Sequence, residues 1–153
     1  MIITLKSSPV VARVTPEDII NSQKQAYDQK IKNYSPQNRQ KLEQLSKQIA
    51  TLNKQKSDQL SYIMDVQGAV LEEYKRRHDY KTNAAIDNTS YWVTFAHEAV
   101  AYQAAKIYVF DLSSENNLKN DALATINKFE SELNYARGTV IKSQKILEDL
   151  VSQ

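Results

Sequence analysis

The sequence predicts an all-α protein, a three- to four-helix bundle with one long coiled-coil-like helix and a short extended N-terminal arm. The 153 residues include only 2 Gly and 3 Pro, so the chain has few turn signals and its elements must be long. Apolar residues recur at spacings of three and four over long stretches. Hydrophobic residues make up 41% and charged residues 25%, as is usual in globular chains. We therefore expect a single helical domain over residues 1–153.

The first 14 residues form the predicted arm. The segments Ile2–Leu5 and Val10–Val14 are rich in β-branched residues, and the Ser-Ser-Pro sequence between them favours a turn. Within the arm, Val10 and Val11 are candidate contacts with another subunit. A degenerate secretion signal is the alternative interpretation. Its apolar run of about four residues before Lys6 is shorter than the roughly 7–15 that such a signal needs.

Capping residues and apolar stripes predict four helices. They span residues 16–33, 36–80, 90–112 and 118–150. The first two begin with a hydroxyl cap before proline, at Thr15 and Ser35, which suits a helix start. Residues 81–89 are the predicted linker, and the sequence Asn-Thr-Ser at 88–90 offers caps for the third helix.

The long helix carries a coiled-coil pattern in its first half. The residues that repeat at spacings of three and four are Leu42, Leu45, Ile49 and Leu52. Polar Lys56 and Gln59 interrupt this seam, which resumes displaced at Leu60, as in a stutter. About 45 residues would make a rod of roughly 65 Å, longer than a domain of this size needs. We therefore expect the first half to project from the body and to contact another chain.

The third helix is the most apolar part of the chain. Between Trp92 and Phe110 apolar residues occur nearly all round the predicted helix, so it should be central. Interrupting polar residues such as His97 and Lys106 argue against a membrane span. The 9 tyrosines of the chain favour either core packing or protein contact, and the sequence leaves both open.

The residues that most enzyme chemistries require are scarce. The chain has no cysteine, and 2 isolated glycines cannot form a phosphate-binding loop. His78 and His97 are the only histidines, and neither belongs to a Glu-x-x-His pair. A surface position is expected for His97, with a buried catalytic pocket as the alternative. We therefore expect a protein that is not an enzyme, with no catalytic residue, no metal site and no cofactor.

One basic cluster is a candidate anion contact. Its members are Lys75, Arg76, Arg77 and Lys81. Neighbouring Tyr74 and Tyr80 would allow stacking on nucleic-acid bases. The alternative is structural, because cations stabilise the carbonyl end of a helix. The net charge is only +2, which argues against nucleic acid as the main partner.

These observations favour a non-enzymatic structural or adaptor subunit of a larger assembly, such as a viral particle or a bacterial envelope complex. Its partner would be protein, in a homo-oligomer or a multi-subunit assembly. A virion or extracytoplasmic location is favoured over the cytoplasm. One alternative is an extracytoplasmic helical-hairpin module that binds a ligand between its helices. Another is a nucleic-acid-binding protein that uses the cluster at residues 75–81.

Overall fold

The computed structural model describes residues 14–152 and confirms the all-α bundle. The helices are α1 (Pro16–Ile31), α2 (Pro36–Arg77), α3 (Ala84–Ala104) and α4 (Leu118–Val151). A single 3-10 turn, Glu115–Asn117, precedes α4. The predicted arm, including Val10 and Val11, lies outside the described residues. Within residues 14–152, no helix is both long enough and apolar enough to cross a membrane.

The first two helices begin where the sequence predicts. The Thr15 hydroxyl accepts a hydrogen bond from the Asp18 backbone N–H at 3.2 Å, and the Asp18 carboxylate accepts one from the Thr15 N–H at 2.8 Å. The Ser35 hydroxyl accepts one from the Asn38 N–H at 3.4 Å. Both caps act within four residues, so the local sequence is enough to specify them.

Helix α2 ends at Arg77, slightly before the predicted residue 80. Asp79 and Tyr80 follow with φ values of 53° and 54°, in the left-handed region. The Tyr80 backbone N–H donates to the Lys75 carbonyl at 2.9 Å. This bond satisfies a carbonyl that the end of the helix leaves without a helical partner.

Helix α3 begins at Ala84, so the prediction of a linker over residues 81–89 is wrong. The side chain of Asn83 accepts a hydrogen bond from the Ile86 backbone N–H at 2.9 Å and caps the helix. Asn83 precedes the caps predicted at residues 88–90, and the alanines that follow it have high helix propensity.

Helix α3 ends at Ala104, so the predicted end at residue 112 is also wrong. Residues 106–114 have no regular secondary structure, and we refer to Ile107–Leu112 below as the extended segment. Phe110 and Leu112 are buried and Asp111 between them is exposed, whereas the consecutive residues Tyr108 and Val109 are both half-buried. Alternation with a period of two belongs to an extended chain and not to a helix. The extended segment continues the core below α3 and leads to the start of α4.

Helices α2, α3 and α4 form the bundle. Asp65 lies near His97 and Asn53 near Gln103, so α3 runs antiparallel to α2. Glu115 lies near Asn38, and Gln67 lies near Val140, so α4 runs parallel to α2. The upper core contains Leu60, Met64, Leu71, Ile86, Val93, Ala96, Val100, Ala136, Val140, Leu147 and Leu150. The lower core contains Tyr34, Leu42, Ile49, Phe110, Leu112, Ala122 and Phe129.

Helix α1 is attached to the lower core by one end. Tyr27 and Ile31 pack against this core, and Lys30 Nζ lies 3.7 Å from the Asp111 carboxylate. No residue of α1 is buried, and Ile19 near its start is exposed. Helix α1 therefore contributes little to the core and lies along the extended segment.

Hydrogen bonds to Glu115 connect the start of α2 with the start of α4. Its carboxylate accepts hydrogen bonds from the Ser35 backbone N–H at 2.7 Å and from the Asn38 amide at 2.8 Å. These bonds, first that with Ser35, hold the pKa of Glu115 below its ordinary value of 4.5. A carboxyl group whose pKa is lower in the folded protein stabilises the fold at pH values above its pKa in the unfolded chain. This stabilisation is lost as the pH falls through the pKa of the folded state.

We therefore expect Glu115→Gln to flatten the acid side of the stability profile. The free energy of unfolding, measured by urea denaturation from about pH 7 to about pH 3, should fall less steeply in this variant than in the wild type. Glu130, an exposed residue of α4, is the control, and Glu130→Gln should leave the slope unchanged. Identical slopes for wild type and Glu115→Gln would show that the hydrogen bonds of the Glu115 carboxylate do not contribute to the free energy of unfolding.

Candidate interaction surfaces

The predicted coiled-coil seam packs within the chain. Leu42 and Ile49 are buried in the lower core, and Leu45 packs against it half-buried. Leu52 is the exception, with 44% of its surface exposed. The prediction that this half of the helix projects from the body is therefore wrong. The extended segment and α4 cover the seam residues that we assigned to contact with another chain.

The seam is interrupted at a different place from the one predicted. The buried positions of α2 step by four from Ile49 to Asn53 and to Ser57, and then continue at Leu60. The interruption therefore lies at Asn53 and Ser57, where polar residues face the core, and not at Lys56–Gln59. Hydrophobic periodicity missed this shift because it assigned Leu52, and not Asn53, to the core.

Asn53 is buried because it caps the end of α3. Its amide nitrogen donates to the backbone carbonyls of Gln103 at 3.0 Å and Lys106 at 3.4 Å. Its side-chain oxygen accepts from the Gln103 amide at 2.9 Å. The last carbonyls of a helix lack helical partners, so a buried helix end needs donors from elsewhere. Asn53 supplies them from the neighbouring helix.

The polar network continues from Gln103 to α4. The Gln103 amide donates to the Tyr108 hydroxyl at 2.9 Å, which donates to the Glu132 carboxylate at 2.7 Å. Lys106 Nζ lies 3.1 Å from the same carboxylate. Partial burial raises the pKa of Glu132, but the bonds from Tyr108 and Lys106 outweigh it and lower the pKa overall. The carboxylate thus stays charged and holds the start of the extended segment against α4.

A second polar pair joins α2 to α4 inside the upper core. The Ser143 hydroxyl donates to the Gln67 side-chain oxygen at 2.6 Å, and the Gln67 amide donates to the Val140 carbonyl at 3.2 Å. Buried polar groups of this kind favour one register of helix packing over others. Since both polar side chains find partners, they are structural residues.

One carboxylate binds both arginines of the basic cluster at the end of α2. The guanidinium groups of Arg76 and Arg77 both donate to Glu73, at 2.8 and 2.7 Å. Hydrogen bonds, first from Arg76 and then from Arg77, lower the pKa of Glu73 to about 2. Among the described residues, Lys75 and Lys81 enter no ion pair. Glu73 offsets one of the four positive charges, so the cluster stays basic, with its two arginines held on one carboxylate.

His97 lies on the surface, as expected. Its Nε2 atom is 3.5 Å from the Asp65 carboxylate, and both side chains are substantially exposed. Within residues 14–152, no group of three or more His, Asp or Glu residues is placed to hold a metal ion.

An aromatic surface on α3 was not predicted. Tyr91 stacks on Phe95 with ring centroids 6.0 Å apart, and Trp92 meets the edges of both rings at 5.4 and 5.6 Å. Tyr102 lies seven residues after Phe95 and therefore shares the same side of the helix. Tyr91 and Tyr102 expose 59% and 68% of their surfaces, while Trp92 and Phe95 are half-buried.

Helix α4 and the start of the extended segment complete this surface. Lys142 Nζ lies 3.5 Å from the centre of the Trp92 ring, and Lys106 Nζ lies 4.9 Å from the centre of the Tyr102 ring. Tyr135, seven residues before Lys142 and hence on the same side of α4, is 63% exposed. We name the aromatic face as Tyr91, Trp92, Phe95, Tyr102 and Tyr135, with Lys106 and Lys142.

A groove between α2 and α4 is another apolar surface. Ile63, Val66 and Val70 follow one side of α2 and are exposed, and Val151 faces them from the end of α4. The upper part of the groove has a volume of about 620 Å³. Its lining also includes the stacked rings of Tyr74 and His78 and the charged side chains of Glu73 and Arg77.

Comparison with protein-family models, with curated proteins and with solved structures gives no match for this chain.

Proposed function

We propose that the protein is a non-enzymatic structural subunit that assembles with further copies of itself through the aromatic face. The exposure of three tyrosines around a half-buried Trp92–Phe95 pair is the observation that carries this proposal. Tyr, Trp and Phe are enriched at protein interfaces, and Trp and Tyr dominate their binding energy.

The geometry of the face supports a contact between two proteins. The rings of Tyr91, Trp92 and Phe95 contact one another, so these side chains lose little conformational entropy when a partner packs on them. Lys142 lies over the Trp92 ring, and its ammonium group can reach a carboxylate at the rim of an interface. The seam predicted for this role is unsuitable, because Leu42 and Ile49 are already buried within the chain.

We expect loss of the exposed rings to weaken self-association. In a variant that combines Tyr91→Ser, Tyr102→Ser and Tyr135→Ser, the dissociation constant should rise by roughly tenfold or more for each ring that is a hot spot. Sedimentation velocity over a range of protein concentrations measures this change. The three side chains are mostly exposed, so the thermal midpoint should change little.

Tyr62 provides the matched control, because it is 70% exposed and lies on α2, away from the aromatic face. Tyr62→Ser should leave the sedimentation profile unchanged. A wild-type protein that stays monomeric at high concentration would contradict the proposal. Salt-sensitive binding of single-stranded nucleic acid that the triple variant loses would assign the face to base stacking instead.

A further inference from the structure

The lower part of the groove between α2 and α4, from Ile63 downward, forms an apolar channel. Within the described part of the chain, only these two helices line it. At its lower end, a space of about 380 Å³ lies against Leu45 of α2 and against Leu123 and Ile126 of α4. At its upper end, beside Ile63 and Leu133, the space is about 320 Å³. Ile63 and Leu123 are exposed, so the channel presents apolar surface to solvent.

The channel has the length and the shape of a site for one more helix. Leu52, 44% exposed, lies seven residues after Leu45 on the same side of α2 and joins the two spaces. From Lys41 to Ile63, α2 covers about 33 Å, the length of a helix of about 22 residues. Two helices that pack side by side leave a groove on each side of their contact. Helix α3 packs against both α2 and α4 in one of these grooves, and the channel is the groove that it leaves open.

Basic side chains line the channel at both ends. Lys41 and Lys119 line the lower space. Lys56 and Arg137 line the upper space. Among residues 14–152, none of the four enters an ion pair, and no acidic residue lines either space. Glu130, seven residues before Arg137 and hence on the same side of α4, offsets one of the four charges. The rim of the channel therefore stays positive, which favours a partner with carboxylates on its flanks.

We propose that the channel binds an amphipathic helix of a partner protein, with an apolar stripe between two rows of acidic residues. A helix pairs its own backbone groups, so it needs apolar surface and opposite charge from its site, and the channel supplies both. Nucleic acid suits the channel less well, because phosphates would pair with the cations but leave the leucines uncovered. The channel shares no residue with the aromatic face, so this binding does not depend on the proposed function.

Three synthetic peptides test the charge of the partner. They are about 22 residues long, share one helical stripe of leucines and carry glutamate, glutamine or lysine on both flanks. Fluorescence anisotropy with the full chain should show that the dissociation constant of the glutamate peptide is lower than that of the glutamine peptide by roughly tenfold or more. The lysine peptide should bind most weakly. Equal affinities for the three peptides, or no binding of the glutamate peptide, would overturn the proposal.

Charge reversal in the channel tests where the peptide binds. Lys56→Glu with Arg137→Glu should weaken binding of the glutamate peptide by roughly tenfold or more and should strengthen binding of the lysine peptide. Lys54→Glu with Lys128→Glu is the matched control, because it changes the net charge equally at exposed residues on other sides of α2 and α4. The control should bind all three peptides as the wild type does. Equal weakening in both variants would show attraction by net charge alone and contradict a site in the channel.

Leu123→Ser tests the apolar floor of the channel. Leu123 is 49% exposed, so the substitution should change the thermal midpoint little but weaken the glutamate peptide by roughly tenfold. The variant that lacks Tyr91, Tyr102 and Tyr135 should bind this peptide normally, so the two proposals can fail separately.

Two results would assign the channel to another occupant and overturn binding of a partner helix. One is self-association that Lys56→Glu with Arg137→Glu abolishes, in a wild type that binds no peptide, because the occupant is then a second copy. The other is binding of a single-stranded oligonucleotide that this variant loses, without any preference among the peptides, because the occupant is then nucleic acid.

Discussion

Leu42→Ala should lower the free energy of unfolding by about 2–5 kcal/mol, the usual cost of emptying a buried leucine site. Leu42 is 0% exposed and lies in the lower core with Phe110, Leu112 and Phe129. The substitution removes apolar contacts and leaves a cavity between α2, the extended segment and α4. Urea denaturation followed by circular dichroism measures the change, and it should not depend on protein concentration.

Leu52 is the matched control for this experiment. It is the same residue type on the same helix and belongs to the same predicted seam, but it is 44% exposed. Leu52→Ala should cost less than about 1 kcal/mol. A Leu42→Ala protein of unchanged stability and reduced oligomer mass would contradict the structure and restore the seam as a contact between chains.

Asn53→Leu should lower the free energy of unfolding by about 1–3 kcal/mol, although leucine is similar in size and more apolar. The substitution removes the side-chain donor to the carbonyls of Gln103 and Lys106, of which the Gln103 carbonyl still accepts from the Lys106 N–H at 3.1 Å. It also leaves the buried Gln103 amide without one of its acceptors. A buried polar group without a partner costs more than the hydrogen bond contributes when present. Urea denaturation measures this loss as well.

Gln55→Leu is the control, since this residue of α2 is exposed and its loss should change stability by less than about 0.5 kcal/mol. The double variant Asn53→Leu with Gln103→Leu gives a further test. Removal of both side chains should cost less than the sum of the single changes, because fewer polar groups remain unpaired. Strict additivity would show that the two side chains do not interact.

Local signals predicted the helices well where a short sequence decides the structure. Thr15 and Ser35 cap their helices through bonds within four residues, and the sequence places both starts correctly. The alternation of three and four along α2 correctly identified Leu42 and Ile49 as an apolar face. The sequence did not show which chain covers that face, because periodicity gives the side of a helix and not its neighbour.

The limits of α3 depend on contacts far along the chain. The residues from Ala104 to Phe110 have a composition that fits either a buried helix or a strand, and periodicity over so few residues does not separate the two. Asn53, 50 positions before Gln103, bonds the Gln103 carbonyl at the end of the helix. The predicted end at residue 112 is wrong for this reason.

The aromatic face shows the same dependence. The sequence does not show whether the tyrosines pack in the core or lie at a contact with another protein. Helical spacing places Tyr91 and Tyr102 on one side of α3, but only the position of α4 shows that this side stays exposed. Lys142 on the Trp92 ring marks where the two helices meet. The proposed role of this face, and the non-enzymatic character of the protein, stay predictions.

The sequence by itself determined the all-α class, the starts of α1 and α2 and the apolar stripe of α2. Each of these follows from interactions between residues a few positions apart. The tertiary structure alone decided that the long helix packs along its length within the bundle and does not project. It did so because the extended segment Ile107–Leu112 continues the core where α3 stops, and the start of α4 covers the other side. Contacts between residues 50 or more positions apart determine this packing, and no local sequence pattern predicts them.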